Sequence, residues 1–234
     1  MDCGYLPRTH NPLMKLTIGV DFDNTIACYD SAFSVVAHEI GLTDFPILLS
    51  KAQIKARVLA SPGGDLDWQR LQGQVYGKYI HLAIVYAGFV EFLRCSKLNG
   101  HSVFIVSQKS EFGHFDITRV NLRDAALRWL AHNGIVGSEG SPLLKSEVFF
   151  ESTRREKLAR IRALGCTHFI DDLKDVLADP LFPEWTERIL FSPDCSVKYE
   201  CGLRIEASWP GLETCIFGAS CLEDPGSKPQ SGIA

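Results

Sequence analysis

The sequence predicts an α/β fold: a Rossmann-like, three-layer α/β/α core with a parallel sheet, and a small α-helical cap inserted after the first strand. Short apolar runs that are typical of buried strands alternate with longer segments of helical periodicity. Strands that alternate with helices of ten or more residues favour right-handed βαβ connections and a parallel sheet. Three of the apolar runs end on an acidic residue or a serine, which predicts one polar edge of the sheet.

The first apolar run, residues 16–20, is followed at once by two acidic residues. Its composition is that of a strand buried on both faces, and it ends on Asp21, with Asp23 two positions later. Because residues two apart in an extended chain point to the same side, the two carboxylates leave the strand together. Such a pair is costly unless a cation or a reaction needs it. The pair therefore marks a candidate site.

The segment between residues 28 and 86 predicts a helical insertion. Apolar residues at helical spacing indicate helices over residues 31–40 and 50–59 and a third helix that begins at Asp67. Asp30 is the expected cap of the first of these helices. The predicted domains are a discontinuous core over residues 1–28 and 87–218, a helical cap over 29–86 and a disordered tail over 219–234.

Turns and aromatic residues complete the expectations for the insertion. Turns are expected at residues 44–46 and at 61–64, where Gly63-Gly64 forms either an interhelical turn or a specificity loop. Four aromatic residues either contact substrate or pack in the interior, and packing is the commoner role of such a stripe: Trp68, Tyr76, Tyr79 and Tyr86.

The remaining chain supplies the other elements of the predicted core. Strands are expected over residues 101–106, 147–150, 167–170 and 188–191, and helices over 88–98, 121–131 and 153–164. Thr153 and Glu156 have the capping-box spacing, which gives the last of these helices a clear start and places Lys157 in its first turn. The polar residues that end two of the strands are Ser107 and the Asp171-Asp172 pair.

Composition and charge exclude several classes of function. The net charge of −4 gives no reason to expect a nucleic acid partner. No apolar run approaches the ~18–20 residues that span a bilayer, so no membrane association is expected. The first ten residues lack the basic start and apolar core of a signal peptide, which makes the cytoplasm the expected location. The sequence does not indicate the oligomeric state.

The eight cysteines are scattered, and none forms a CxxC pair, so the spacing of a zinc site is absent. Four of them lie late in the chain: Cys195, Cys201, Cys215 and Cys221. Unpaired thiols are the expectation for this group, and a metal or disulfide cluster is the alternative.

The polar residues at the predicted sheet edge have the chemistry of phosphoryl transfer. A carboxylate such as Asp21 can act as a nucleophile and form an aspartyl phosphate, while a second carboxyl protonates the leaving oxygen and later activates water. A hydroxyl and an ammonium can hold the phosphoryl oxygens. Carboxylates from two strands can bind Mg²⁺, which prefers oxygen ligands. The non-catalytic alternatives are a helix cap for Ser107 and an exposed helix lysine for Lys157.

Four motifs in this chain resemble those of the haloacid-dehalogenase-like (HAD) hydrolases. Residues 21–25, Asp-Phe-Asp-Asn-Thr, are similar to the DxDxT signature of that superfamily, and the run that ends on Ser107 is similar to its second motif. Lys157 occupies the place of the third-motif lysine, and residues 169–175, Phe-Ile-Asp-Asp-Leu-Lys-Asp, resemble the acidic fourth motif. The resemblance extends from about residue 15 to residue 175, which is most of the chain.

The resemblance implies a role for each matching residue. Asp21 would be the nucleophile and Asp23 the general acid/base. The Mg²⁺ ligands would be Asp21, the backbone carbonyl of Asp23, and Asp172. Phosphate would be bound by Ser107, Lys157 and Thr25, and Thr25 would also order the loop. Asp171 and Asp175 would support the metal and its waters without binding the metal directly. An acid at position 23 implies a phosphatase, since members that cleave carbon–halogen bonds lack it.

Some alternatives stay open at this point. Either Asp171 or Asp172 could be the direct metal ligand, and Asp175 could be a solvated or capping residue instead of a support for the metal. The spacing between Lys157 and Asp171 is shorter than is usual in the superfamily, which leaves Lys145 as an alternative phosphate-binding lysine, with Arg154 and Arg155 as auxiliary cations. The expected function is a Mg²⁺-dependent phosphatase that acts on a small phosphorylated metabolite, such as a sugar phosphate or nucleotide. A phosphotransferase with the same chemistry and a non-catalytic phosphometabolite- or partner-binding module are the alternatives. His114, in the polar loop after Ser107, is expected to be a surface residue.

Overall fold

A computed structural model describes residues 15–43, 49–137, 140–195, 197 and 202–218. Its strands are β1 (Thr17–Val20), β2 (Ala27–Cys28), β3 (Ile84–Val85), β4 (Ser102–Gln108), β5 (Val136–Gly137), β6 (Leu143–Leu144), β7 (Val148–Glu151), β8 (His168–Asp171), β9 (Glu187–Phe191) and β10 (Arg204–Glu206). Its α-helices are α1 (Asp30–Glu39), α2 (Lys51–Ala60), α3 (Gly64–Tyr76), α4 (Phe89–Leu98), α5 (Leu122–His132), α6 (Arg154–Ala163), α7 (Lys174–Leu177) and α8 (Trp209–Phe217). Two short 3₁₀ turns cover Ile80–Leu82 and Lys145–Glu147. None of the helices in the described ranges has the length and apolar content needed to cross a bilayer.

The predicted α/β architecture is confirmed by a six-stranded sheet with the order β10-β9-β8-β1-β4-β7. All neighbouring strands in it are parallel. Strand β1 lies between β4 and β8, with Val20 opposite Ile105 on one side and opposite Ile170 on the other. Asp21 continues this pairing, since its N–H donates to the carbonyl of Ile170 at 2.9 Å. Asp21 is therefore fixed at the centre of the sheet edge.

Helices cover both faces of this sheet, which makes three layers. On one face, α4, α5 and α8 pack through buried aromatic residues, including Phe92, Trp129 and Trp209. On the other face, α6 and α7 pack through smaller side chains, including Ile161 and Val176. Because residues alternate between the faces of a strand, Ile18 and Val20 belong to the first core, whereas Asp21 lies on the side of α6.

The helical insertion is defined here as α1, α2 and α3 together with the adjoining Tyr29, and it lies between β2 and β3, which pair antiparallel. The three helices lie within about three residues of the positions predicted from periodicity. Phe33 of α1 stacks on Trp68 of α3, with ring centroids 5.2 Å apart. Asp30 was expected to cap α1, but Tyr29 occupies the cap position and Asp30 accepts a hydrogen bond from the Lys51 N–H at 3.1 Å. Asp30 thus joins α1 to the start of α2.

Other parts of the fold differ from the sequence prediction or were missed by it. Strand β4 extends through Ser107 to Gln108, because its pairing with β7 continues as far as Glu151. Strand β10 and helix α8 were not predicted, and neither were the two small two-stranded sheets, β2-β3 and β5-β6. Cys195 and Cys215 are free thiols, as expected for the late cysteines. The expected lead-in before residue 15, turn at 44–46 and tail at 219–234 lie outside the described residues, as do Cys201 and Cys221.

The absence of a side chain at Gly19 in β1 allows close packing on the face of the sheet that α6 covers. A Cβ at this position would lie 2.4 Å from Cδ2 of Phe169 and 3.0 Å from Sγ of Cys166. Both neighbours are buried, so neither has open space into which it can move. The absence of a side chain at Gly19 therefore lets β8 pair with β1 while Phe169 fills the space between the sheet and α6.

We expect Gly19→Ala to lower the free energy of unfolding by roughly 1–3 kcal/mol, the usual cost of overpacking a core. Urea denaturation measures this loss. Because the nearest contact is the Phe169 ring, the cost should shrink when the same change is made in a Phe169→Leu background. An equal cost in both backgrounds would show that the ring is not the source of the strain.

Candidate active site

Asp21, the first acidic residue of the motif at residues 21–25, is bound by a buried lysine. Nζ of Lys157 donates to Oδ1 of Asp21 and to Oδ2 of Asp171, both at 2.6 Å. The other oxygen of Asp171 accepts the Leu173 N–H at 2.8 Å. Lys157 is 1% exposed and Asp21 is 5% exposed, so the three charged groups are held almost without water. Burial lowers the pKa of Lys157, but the adjacent Asp171 and Asp21 outweigh it and raise the pKa above its usual value.

The position of Lys157 follows from the start of α6. The hydroxyl of Thr153 accepts the Glu156 N–H, and the Glu156 carboxylate accepts the Thr153 N–H, which is the capping box expected from the sequence. The helix that begins there presents Lys157 to the sheet. Lys145 lies exposed in a 3₁₀ turn, and Arg154 and Arg155 are exposed on α6. Of the two lysines considered, Lys157 is the one that reaches Asp21.

Three carboxylates form a cluster that can hold a metal ion. One oxygen from each of Asp21, Asp171 and Asp172 lies within 4.8 Å of the others. Asp171 is fully buried with both oxygens hydrogen-bonded, whereas Asp172 is half-buried and lines an adjoining cavity of about 270 Å³. The carboxylate of Asp172 is therefore less enclosed by protein hydrogen bonds than that of Asp171, and Asp172 stays the proposed ligand.

The electrostatics of this cluster favour an added cation. Burial raises the pKa of Asp21 to about 7, and the neighbouring Asp171 and Asp23 add to the shift while Lys157 opposes it. Burial together with Asp21 and Asp171 also raises the pKa of Asp172 well above its usual value. A divalent cation would offset the repulsion that Asp21 and Asp172 experience from the neighbouring carboxylates. Carboxylate oxygens are the ligands that Mg²⁺ prefers. The donor set thus fits Mg²⁺.

Asp23, the second acidic residue of the motif, is bound by a different lysine. Nζ of Lys109 donates to Oδ1 of Asp23 at 2.9 Å and to Oδ2 at 2.7 Å. The hydroxyl of Tyr29 donates to Oδ1 at 2.7 Å. Lys109 is 3% exposed, so this ion pair is also largely shielded from water. Neither Lys109 nor Tyr29 was identified from the sequence, although Lys109 lies two residues after Ser107 and so points to the same side of an extended chain.

The loop after β1 holds the remaining residues of the first motif. Asn24 has a φ of 60°, a left-handed conformation that asparagine tolerates, and its N–H donates to the Ala27 carbonyl at 2.8 Å. Thr25 is buried, and within the described part of the chain its hydroxyl oxygen has no hydrogen-bond partner. The Thr25 carbonyl accepts the Trp209 indole N–H at 3.2 Å, which ties the loop to α8. Ser107 is buried at the end of β4.

The aromatic residues singled out between residues 68 and 86 divide into two groups. Tyr86 lines the cavity beside Asp172, and the Tyr76 hydroxyl accepts a hydrogen bond from Nζ of Lys51 at 3.0 Å. Lys51 lines the same cavity and was not identified from the sequence. Trp68 stacks on Phe33 and Tyr79 donates to Glu39, so these two aromatic residues pack within the protein.

Four residues that the sequence singled out lie apart from the cluster. Asp175 is exposed in the first turn of α7 and is not among the clustered carboxylates. His114 is exposed, as expected for a surface histidine. Gly63 and Gly64 form the start of α3, where Gly63 is the cap residue.

No family model matches the chain, and no curated protein matches it. The chain is similar to several solved structures. A HAD-superfamily hydrolase of subfamily IA, variant 1, from Geobacter sulfurreducens is 16% identical with a TM-score of 0.49, and the match covers 86% of this chain and 96% of that one. A haloacid dehalogenase-like family hydrolase from Xanthomonas campestris is 14% identical, with 85% and 94% covered and a TM-score of 0.47. A HAD phosphatase from Thermococcus onnurineus is 13% identical, with 88% and 100% covered and a TM-score of 0.43. Because these identities and scores are low, the function proposed below rests on the residues of this chain.

We expect Lys157→Met to lower the free energy of unfolding at pH 8 by about 3 kcal/mol or more, since it leaves two buried carboxylates without their shared counterion. Lys145→Met is the matched control, because it removes the same group from an exposed turn and should change stability by less than about 0.5 kcal/mol. Urea denaturation of both variants measures the difference. Equal losses would contradict a buried ion pair at Lys157.

Proposed function

We propose that this chain is a HAD-like phosphatase that hydrolyses a small phosphomonoester with the help of Mg²⁺. The observation that carries the proposal is the buried Lys157–Asp21–Asp171 arrangement at the end of the central strand, with Asp23 and its own lysine beside it. We propose one carboxylate for attack, the second for proton transfer, and the ammonium of Lys157 for binding the phosphoryl group. A binding module would need no second carboxyl of this kind.

In the proposed reaction, a carboxylate oxygen of Asp21 attacks phosphorus and the bond from phosphorus to the leaving oxygen breaks. Asp23 enters this step in its protonated form and gives its proton to that oxygen, and the alcohol departs. The ion pair with Lys109 is the form that Asp23 takes after this transfer. Asp23 then takes a proton from water as the water attacks the aspartyl phosphate. The phosphorus–Asp21 bond breaks, inorganic phosphate leaves, and both carboxyl groups return to their starting states.

Positive charge is needed because both the nucleophile and the substrate are negative. Lys157 already contacts Asp21, so its ammonium is close enough to bind a phosphoryl oxygen as the attack begins. Ser107 and Thr25 are the hydroxyl groups proposed to hold the remaining phosphoryl oxygens. Mg²⁺, held by Asp21, Asp172 and the Asp23 carbonyl, would supply further charge neutralisation. Asp171 and Asp175 are proposed to support that ion indirectly.

The size of the adjoining cavity agrees with a small substrate. Its volume of about 270 Å³ is just below the range of ~300–1,000 Å³ common for ligand pockets. Polar and charged groups from the insertion and from the sheet edge line it, including Lys51, Tyr86 and Ser192. The leaving group is therefore proposed to be a small polar alcohol, and the insertion, proposed as a cap over residues 29–86, is proposed to select it.

We expect Asp21→Asn to reduce phosphate release from p-nitrophenyl phosphate in the presence of Mg²⁺ to background, because the amide cannot form the aspartyl phosphate. The wild-type protein should release phosphate, and EDTA should stop that release until Mg²⁺ is added back. Asp124→Asn, an exposed change on α5, is the matched control and should retain wild-type activity. Equal turnover by Asp21→Asn and wild type would contradict the role of Asp21.

We expect Asp172→Asn to raise the Mg²⁺ concentration for half-maximal activity by at least the ~10-fold seen for weaker, outer partners of metal sites. The increase of Tm with added Mg²⁺ should shift to higher concentration by the same factor, which gives a readout independent of turnover. Asp194→Asn is the control, since Asp194 lines the same cavity but lies outside the carboxylate cluster. Identical Mg²⁺ dependence in the two variants would show that Asp172 is not a ligand.

A further inference from the structure

The carboxylate of Asp23 is held more tightly than its partly exposed position requires. It accepts three hydrogen bonds, two from the Lys109 ammonium and one from the Tyr29 hydroxyl. An ionised pair at the surface contributes little, so side chains there are usually left to rotate. Here both donors are themselves buried, and the carboxylate has one orientation fixed from two sides. Such fixation indicates that the orientation of the Asp23 carboxylate is important.

Both donors to Asp23 contact one residue of the helical insertion, Tyr76 at the end of α3. The Lys109 ammonium lies 4.9 Å from the centre of the Tyr76 ring, and the Phe22 ring lies 5.2 Å from the same ammonium. The Tyr29 ring meets the Tyr76 ring edge to face, with centroids 4.9 Å apart. A desolvated ammonium is attracted to aromatic faces, and edge-to-face rings also attract. Tyr76 therefore packs against both groups that orient Asp23.

One further contact holds Tyr76 itself, and another holds the helix that carries it. Its hydroxyl accepts a hydrogen bond from Lys51 of α2. Helix α3 also lies very close to the loop that follows β4, because a Cβ on Gly113 would lie 2.5 Å from the Cα of Gly73. That approach leaves no room for a side chain at either glycine. The helix that carries Tyr76 is thus seated against the segment that begins at Lys109.

We propose that Lys109 and Tyr76 are positioning residues for Asp23, so that the helical insertion takes part in placing the acid/base of the reaction. Lys109 sets the direction of the carboxylate through both oxygens, and Tyr76 holds Lys109 and Tyr29 against it. The inference rests on the proposed phosphatase function, since it assigns Asp23 the transfer of a proton to the leaving oxygen. It gives the insertion a role in the chemical step in addition to substrate selection.

A misplaced acid has a distinctive kinetic effect, which a purely structural role would not produce. A poor leaving group needs protonation as its bond to phosphorus breaks, whereas a good leaving group departs with little help. Phenyl phosphate and p-nitrophenyl phosphate are similar in shape but differ in this need, because p-nitrophenol is much the better leaving group. The ratio of kcat/KM for the two substrates therefore reports how well Asp23 delivers its proton. Since both values come from one sample, the ratio is independent of the fraction of protein that is folded.

The experiment compares this ratio in wild type with the ratio in matched pairs of variants. Asp23→Asn defines the full effect. Lys109→Met should lower kcat/KM for phenyl phosphate about tenfold more than for p-nitrophenyl phosphate, within the ~10²–10⁴-fold range of acid–base catalysis. Lys109→Arg, which can still donate to both carboxylate oxygens, should return the ratio toward wild type. Tyr76→Leu should change the ratio in the same direction as Lys109→Met, whereas Tyr76→Phe keeps the ring and should not.

The outcomes separate this inference from the function on which it rests. If wild type hydrolyses both substrates and Asp23→Asn changes the ratio, but Lys109→Met and Tyr76→Leu keep the wild-type ratio, the positioning role is overturned and the phosphatase stands. If wild type releases phosphate from neither substrate, the phosphatase proposal fails and the inference fails with it. A change of ratio in Lys109→Met alone would keep Lys109 and overturn the part assigned to Tyr76.

Discussion

The sharing of one buried ammonium between two carboxylates is the interaction on which the sheet edge depends. Lys157 lies 136 residues from Asp21 and 14 residues from Asp171, so a single contact point joins α6 to β1 and β8. Burying these charges separately would be costly, and each is tolerated because the others are present. The same contact places the proposed nucleophile at the end of the central strand. Structure and proposed chemistry therefore make use of one set of charges.

Charge balance explains why the edge is suited to binding a metal and phosphate. Two carboxylates, Asp21 and Asp171, share one ammonium, Asp23 has its own, and Asp172 adds a further negative charge to the cluster. Burial raises the pKa of Asp21 to about 7, and the neighbouring carboxylates Asp171 and Asp23 add to this shift while Lys157 opposes it. A cation would restore the ionised form that an attacking carboxylate needs. The packing of the carboxylates therefore supports the proposal of a Mg²⁺ ion, in addition to the resemblance to known motifs.

Local sequence signals predicted the parts of the fold and the site that depend on neighbours in the chain. The β-branched run before Asp21 predicted a buried strand, and the capping box at Thr153 predicted the start of α6, which in turn directs Lys157 to the sheet. The contact between Lys109 and Asp23 was missed, because it joins groups 86 residues apart and nothing near either residue specifies it. Strand β10 was missed for a related reason: three half-buried residues have no periodicity of their own and are extended because β9 is beside them.

The two carboxylates of the first motif differ in what holds them, and this difference has a consequence for how the insertion can act. Among the described residues, Asp21 is hydrogen-bonded to Lys157 of α6 and to Ile170 of β8, neither of which belongs to the helical insertion. The partners of Asp23 are Lys109 from the sheet edge and Tyr29 from the insertion, and Tyr76 of α3 packs against both. Proton transfer is sensitive to distances of a fraction of an ångström, whereas binding a charged phosphoryl group through Coulomb attraction is more tolerant. In the proposed mechanism, a change in the position of α3 would therefore affect proton transfer by Asp23 before it affected the position of Asp21.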